Sequence, residues 1–234
     1  MLKIENVVLP SPQQWEAIIR GMRNPKNSWD LSDSHMTWIE DQDTFEIAPY
    51  EFFVGEKDLD LMKRLRDGGP VHAKYRRMIP VYLDITAPLY WWKEFDTYKL
   101  GTVANSCSTM HKIHAKVFTL EDFSCEYLVG RALNTLEEVI EDLNYYRDMY
   151  VNWKDSDFHI DNDQQLVTRD VVWRQMIQLL PSSYNQKRTI MLNYEVLANI
   201  YEWRRNHKLD EWHVVCDWIE TLPYSELITG KETE

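Results

Sequence analysis

Apolar positions along the chain follow two rhythms. Leu2, Ile4, Val7 and Leu9 alternate weakly up to Pro10-Ser11-Pro12. That predicts a strand over residues 1–10, then a helix over 13–22 with Ser11 as its cap and Pro12 in its first turn. Leu59, Leu61, Met62 and Leu65 take helical spacing over 58–67 and stop at Gly68-Gly69-Pro70. Period-two alternation returns at Ile79, Val81, Leu83 and Ile85, which predicts a strand over 78–85. Beyond Pro88 an aromatic, amphipathic run covers 89–98. Helical spacing then dominates over 136–153, over 169–180 up to Pro181, over 190–207, and over 209–222 up to Pro223. Asn134 or Thr135 is expected to cap the helix at 136. Residues 23–34 and 154–165 read as loops, 182–189 as a connector and 230–234 as a polar tail. Strands thus cluster before residue 90, with a further candidate around 115–128, and the second half is helical. The pattern is α+β.

Composition narrows the class. A chain of 234 residues, 44% hydrophobic with 10 Trp and 13 Tyr, can bury a large core, and one domain over 1–234 is expected. The net charge of −12 argues against a general nucleic-acid binder, since backbone phosphates demand basic clusters. A free nucleotide, met by a local basic pocket, stays compatible. Cys107, Cys125 and Cys216 are odd in number and form no CxxC pair, which points away from a disulfide framework and toward a reducing cytoplasm. No signal-peptide pattern occurs and no apolar run approaches the length of a membrane span, so no membrane partner is expected.

Polar chemistry concentrates after the aromatic run. Thr97, Lys99, Thr102, Asn105, Ser106, Cys107, Ser108, His111 and His114 follow an apolar element directly, and buried hydrogen-bonding groups in such number need partners. The site is expected here. On a helix, Cys107, His111 and His114 would share one face with metal-ligand chemistry, but no fourth ligand accompanies them and no metal is expected. A Cys107–His111 nucleophile pair lacks an orienting third group. His207, Glu211 and His213 form a second polar cluster, with His207 and Glu211 spaced to pair on a helix surface. Lys74, Arg76 and Arg77 make a local positive patch, with Arg20 and Arg23 nearby in the N-terminal part. Each is a solvated face or an anion contact. There is no Gly-rich phosphate loop, no GxSxG and no HExxH.

The central stretch, read with the C-terminal helices, resembles the flavin-dependent thymidylate synthases. In that family a strand and an apolar helix lead into Arg-His-Arg and then Ser-x-Asn-Glu-x-Ser-x-Arg-Tyr. Here Glu94-Phe95 stands for the family's Gln-Trp, and Thr97-Tyr98-Lys99 stands for Arg-His-Arg. Thr102 takes the first serine's place, one extra residue intervenes, and Asn105-Ser106-Cys107-Ser108-Thr109-Met110-His111 follows. The asparagine and second serine survive as Asn105 and Ser108. His72 lies where the family begins its His-x-x-Pro-Phe-Glu-His element, though Tyr75-Arg76-Arg77 replaces the remainder. Downstream, Leu180-Pro181 matches a helix-closing Leu-Pro, and Asn193, Asn199 and Arg204 fall without a gap on two flavin-contacting asparagines and a base-contacting arginine. The likeness spans residues 72–225, with 1–71 a variable N-terminal part and 226–234 a tail.

The resemblance implies an α+β fold with a central antiparallel or mixed sheet. By position it assigns Asn193, Asn199, Lys99 and Thr97 to flavin (FAD), and Asn105, Thr102, Arg76 and Arg77 to the substrate. Arg204, Ser108 and His72 fall at the reacting centre. It implies one-carbon transfer to a pyrimidine nucleotide such as dUMP, with methylenetetrahydrofolate as carbon donor, NADPH as reductant and a homotetramer as the assembly. The departures share a direction. Family arginines that hold phosphate or flavin become Thr97, Met110, Ile177 and Glu195, which removes the bidentate forks that phosphate recognition uses. Lys99, Arg76, Arg77 and the Arg20/Arg23 pair are the available replacements. An inactive nucleotide- or flavin-binding protein of the same fold, acting as a sensor or sequestering protein, is the alternative. A scaffold that kept only the fold and its oligomer is a third reading.

Overall fold

Ser11 opens the first helix as its spacing predicts. Its hydroxyl accepts from the Gln14 backbone N–H while the Gln14 side chain accepts from the Ser11 N–H, a reciprocal capping box with Pro12 in the first turn. The computed structural model describes residues 2–40, 47–154, 159–160 and 166–231. In chain order it contains β1 (Lys3–Val8), α1 (Pro12–Arg23), β2 (His35–Glu40), β3 (Ile47–Phe53), α2 (Glu56–Asp67), β4 (Pro80–Pro88), α3 (Leu89–Phe95) and β5 (Val103–Ser106). There follow α4 (Arg131–Val151), β6 (His159–Ile160), β7 (Leu166–Val167), α5 (Arg169–Leu179), β8 (Asn185–Asn193), α6 (Tyr194–Arg204), α7 (Asp210–Glu220) and α8 (Glu226–Thr229). Four strands form a sheet in the order β1-β4-β8-β5, while β2-β3 and β6-β7 are antiparallel ribbons. The α+β expectation holds.

The chain divides into two compact units: residues 1–3, 85–97 and 105–188 form one, and 4–84, 98–104 and 189–234 form the other. In the first, α4 and α5 bury Leu136, Leu143 and Met176 against Ile113, Phe118 and Phe123. Trp91 and Trp92 of α3 are fully buried, and the Trp92 indole N–H donates to the Gln186 carbonyl at 2.9 Å. In the second, the alternating side chains Val81 and Leu83 of β4 and Ile190 and Leu192 of β8 are buried, as are Leu197 and Ile200 of α6 and Trp212 of α7.

Several expectations are corrected here. The stretch 185–193 is a strand rather than the end of a connector and a helix start. Gln186, Ile190 and Leu192 are its buried positions, and Asn193 caps α6 with its side-chain oxygen accepting from Val196 N–H at 3.1 Å. Residues 103–106 form β5 instead of a helix carrying metal ligands, so Cys107, His111 and His114 do not share a helical face. Residues 115–128 hold no named strand; Phe123 makes only an isolated antiparallel bridge to Tyr184. Gly130, not Asn134 or Thr135, precedes α4, and the Thr135 hydroxyl donates back to the Arg131 carbonyl inside the helix. His207 lies before α7, so it and Glu211 are not i, i+4 neighbours on one helix. Most of the predicted loop over 154–165 and of the tail lies outside the described residues.

Candidate functional site

In the second unit, the turn after α3 meets the start of α6. Thr102 N–H donates to the Lys99 carbonyl at 3.2 Å, and Gly101 adopts φ +84° at the position where type II turns demand glycine. A Cβ there would stand 3.1 Å from Asn193 Nδ2 and 3.2 Å from Val196 Cγ2, so the turn sits directly on the cap of α6. Asn193 is thereby divided: its oxygen caps the helix, and its amide nitrogen lies toward the turn. The Thr102 hydroxyl beside it is buried with no hydrogen-bond partner among the described residues. A buried hydroxyl without a partner is uncommon, and a bound polar group is one reason for it.

Arg204, at the end of α6, is held on two sides. Its Nε donates to the Tyr98 hydroxyl at 3.0 Å, and its guanidinium lies 4.8 Å from the centre of the fully buried Trp212 ring. Tyr98 and Trp212 meet edge to face at 6.0 Å. Stacking on an indole leaves a guanidinium charged and orients its N–H edge. The side chains of Lys99 and Asn199 are exposed and enter no hydrogen bond or ion pair among the described residues. His72 is exposed in the turn after α2, against Gly68, and Arg77 is exposed on the following turn.

Two expected cations are already engaged. Arg76 is buried and donates from Nε and NH2 to Glu195 Oε2 at 2.9 and 2.8 Å, and from NH1 to the Leu227 carbonyl at 3.3 Å. Arg23 is 4% exposed and donates to Asp58, which is fully buried, and to the Ser28 and Leu31 carbonyls. Burial works to raise the Asp58 carboxyl, but hydrogen bonds from Ser32, Ser34 and Arg23 outweigh it and hold it below the ordinary carboxylate range. Arg76 and Arg23 are therefore internal ties, which corrects their assignment as free anion contacts.

In the first unit the surviving motif residues form a turn braced at both ends. Cys107 N–H donates to the Lys187 carbonyl at 2.9 Å, and Gln186 Nε2 donates to the Cys107 carbonyl at 2.8 Å. Gln186 Oε1 in turn accepts from Arg188, which pairs with Asp96 at 2.9 Å and stacks 4.2 Å from the Trp92 ring. The Ser108 hydroxyl accepts from His111 N–H at 2.8 Å, and the Trp173 indole donates to the Met110 carbonyl at 2.9 Å. Thr97, by contrast, donates its hydroxyl to the Glu94 carbonyl and finishes the α3 end. Asn105 is exposed on β5.

The turn borders two cavities. Cys107, Ser108 and Thr109 line one of about 750 Å³ with Lys3, Lys116 and Lys187, whose charges are matched by Glu121, Asp122 and Glu126. Burial pushes the Tyr184 phenol in its wall above the ordinary range, against the pull of Lys116. Met110 and His111 line a second of about 400 Å³. Both volumes are those of small-ligand sites. Among the described residues no group of three or more His, Cys, Asp or Glu side chains is arranged to hold a metal, and no helix is long and apolar enough to cross a membrane.

Comparison with known proteins decides the architecture. No family model matches the chain, and no curated protein does. Among solved structures, thymidylate synthase X from Helicobacter pylori with FAD and dUMP superposes with a TM-score of 0.60 at 14% identity, covering 98% of this chain and 96% of that one. The chain has a thymidylate synthase X-like fold. A second Helicobacter pylori structure of the flavin-dependent enzyme, complexed with FAD and dUMP, gives a TM-score of 0.58 at 14% identity over 97% and 96% of the two chains. The UMP/dUMP methylase PolB from Streptomyces cacaoi, bound with 5-Br dUMP, gives 0.58 at 11% identity over 98% and 94%. The thymidylate synthase X-like fold thus extends beyond residues 72–225 to nearly the whole chain. The resemblance singles out Arg204 but not the Tyr98 and Trp212 that hold it, because their meeting depends on a turn and a helix more than a hundred residues apart.

Proposed function

We propose that this chain binds a pyrimidine nucleotide of the dUMP class together with FAD and transfers a one-carbon unit to the ring. The observation that carries the reading is the fold match over 98% of the chain to a protein that holds both ligands. The residues present fit a flavin: the Thr102 hydroxyl is buried without a partner among the described residues, and Lys99 and Asn199 offer donors. Asn193 keeps its amide nitrogen for the flavin while its oxygen caps α6. FAD, when bound, supplies hydride chemistry that amino acids lack. In this reading NADPH is the reductant and methylenetetrahydrofolate the carbon donor.

The protein's own part is to bind and polarise. Arg204, held by Tyr98 and Trp212, stabilises negative charge developing on the pyrimidine ring. Ser108 and Asn105 serve the nucleotide from the braced turn and from β5, and His72 and Arg77 stand at the ligand's edge. The assembly is a homotetramer in the cytoplasm whose sites draw on more than one subunit, so these groups need not serve a ligand from one copy. The test is dUMP-dependent NADPH oxidation by FAD-loaded protein with methylenetetrahydrofolate, read with the appearance of a C5-substituted nucleotide. Product formation supports the reading, and nucleotide binding without product contradicts the transfer step.

A second reading, ligand binding without turnover, draws on the Arg76–Glu195 pair. Glu195 stands where the resemblance places a flavin-side arginine, and Arg76 neutralises it internally instead of leaving a cation for a ligand.

A further inference from the structure

The cavity of about 400 Å³ in the first unit is lined by Met110, His111, Tyr150, Arg169, Asp170 and Trp173. Arg169 is the first residue of α5, beside the cap Thr168, and its guanidinium lies 4.5 Å from the centre of the Tyr150 ring. It enters no hydrogen bond or ion pair among the described residues. The acid in the same wall, Asp170, already accepts from Arg174 Nε at 2.9 Å, so among the described residues no acid opposes Arg169. His111 faces the cavity from a turn that is fixed by Ser108 and by the Trp173 bond to Met110. Among the described residues the local balance is therefore positive, in a chain of net charge −12. A guanidinium held over an aromatic ring is partly ordered before a ligand arrives, and its fork matches the oxygens of a phosphate two at a time.

We infer that Arg169, with His111, forms the binding site for the phosphomonoester of the nucleotide. The inference rests on the pyrimidine-nucleotide reading and adds the residues that grip the phosphate, which the resemblance does not supply, since its phosphate arginines are Met110 and Ile177 here. The phosphate contact has moved to the first turn of α5, away from the positions of Met110 and Ile177. The uncharged ring is left to other groups.

Titration calorimetry of the full-length, FAD-loaded protein with dUMP and with deoxyuridine tests this. Arg169→Ala is expected to weaken dUMP binding by about tenfold or more, the loss of at least one charge-assisted hydrogen bond, and to leave deoxyuridine binding unchanged. Arg131→Ala, which removes an exposed charge outside the cavity wall, is expected to bind dUMP as the wild type does. Arg169 is exposed, so an unchanged melting temperature should accompany the loss. Wild-type dUMP affinity in Arg169→Ala would overturn this inference and leave the nucleotide reading standing. An equal loss for dUMP and deoxyuridine would also overturn it, because the phosphate would not be what Arg169 holds. Absence of dUMP binding by the wild-type protein would overturn both.

Discussion

Arg76 and Glu195 are 119 positions apart in sequence, and they meet through two nitrogens and one carboxylate oxygen at 2.9 and 2.8 Å. Both side chains are nearly out of solvent, and Arg76 also holds the Leu227 carbonyl beside α8. Removing one partner of such a pair strands the other charge. Arg76→Ala is expected to lower unfolding free energy by about 3–5 kcal/mol. The double variant Arg76→Ala/Glu195→Ala should lose less than the sum of the two singles, read by urea denaturation. A single-variant loss below 1 kcal/mol would place the pair among surface contacts.

The Arg23–Asp58 tie makes stability depend on acid. Asp58 is held below its ordinary value of 3.8, so the native state binds this proton less readily than the unfolded chain. Its contribution is complete above the ordinary carboxylate value and disappears as pH falls through the lowered one. Asp58→Asn should flatten the loss of stability below about pH 4 that the wild type shows in acid titration followed by circular dichroism. Unchanged acid sensitivity would contradict the role given to Asp58.

Gly101 is a conformational requirement as well as a close approach. Gly101→Ala places a side chain at φ +84° and brings its Cβ to 3.1 Å from Asn193 Nδ2. The backbone cost alone is about 1–2 kcal/mol. The variant should melt several degrees lower and should also lose FAD affinity, because the Thr102 turn and the Asn193 cap shift together. A variant that melts like the wild type would show that the turn yields without cost.

Arg204 is expected to matter through its geometry as well as its charge. Arg204→Ala should abolish nucleotide-dependent NADPH oxidation. Arg204→Lys should recover little of it, since an ammonium cannot keep both the Tyr98 bond and the guanidinium contact over Trp212. Tyr98→Phe removes one charge-assisted hydrogen bond and should lower turnover by about tenfold or more while leaving the Trp212 contact intact. Wild-type turnover in Arg204→Ala would remove this residue from the chemistry.

Much of the architecture was legible in the chain. The cap at Ser11, the alternation of Val81, Leu83 and Ile85, and the helical spacing at Leu136, Ile140 and Leu143 are local signals, and each element formed where they pointed. β8 was hidden because the polar positions Asn185, Lys187 and Arg188 break its apolar rhythm, and because Leu192, Leu197 and Ile200 imitate a helix across the strand–helix junction. Asn193 was the available signal: a cap residue at 193 sets the start of α6 there. The engagement of Arg76 and Arg23 was not legible, since it depends on partners brought close only by tertiary structure. The proposed site residues Arg204, Asn193 and Ser108 came from a family likeness. What holds each in place, whether Trp212, the α6 cap or the His111 turn, came from the fold.

The visible absorption spectrum of the purified protein, titrated with FAD and then with dUMP and NADPH, addresses the central claim most directly. The account predicts a protein-bound flavin band that dUMP perturbs and NADPH bleaches. A protein that takes up no flavin at any added concentration would contradict it.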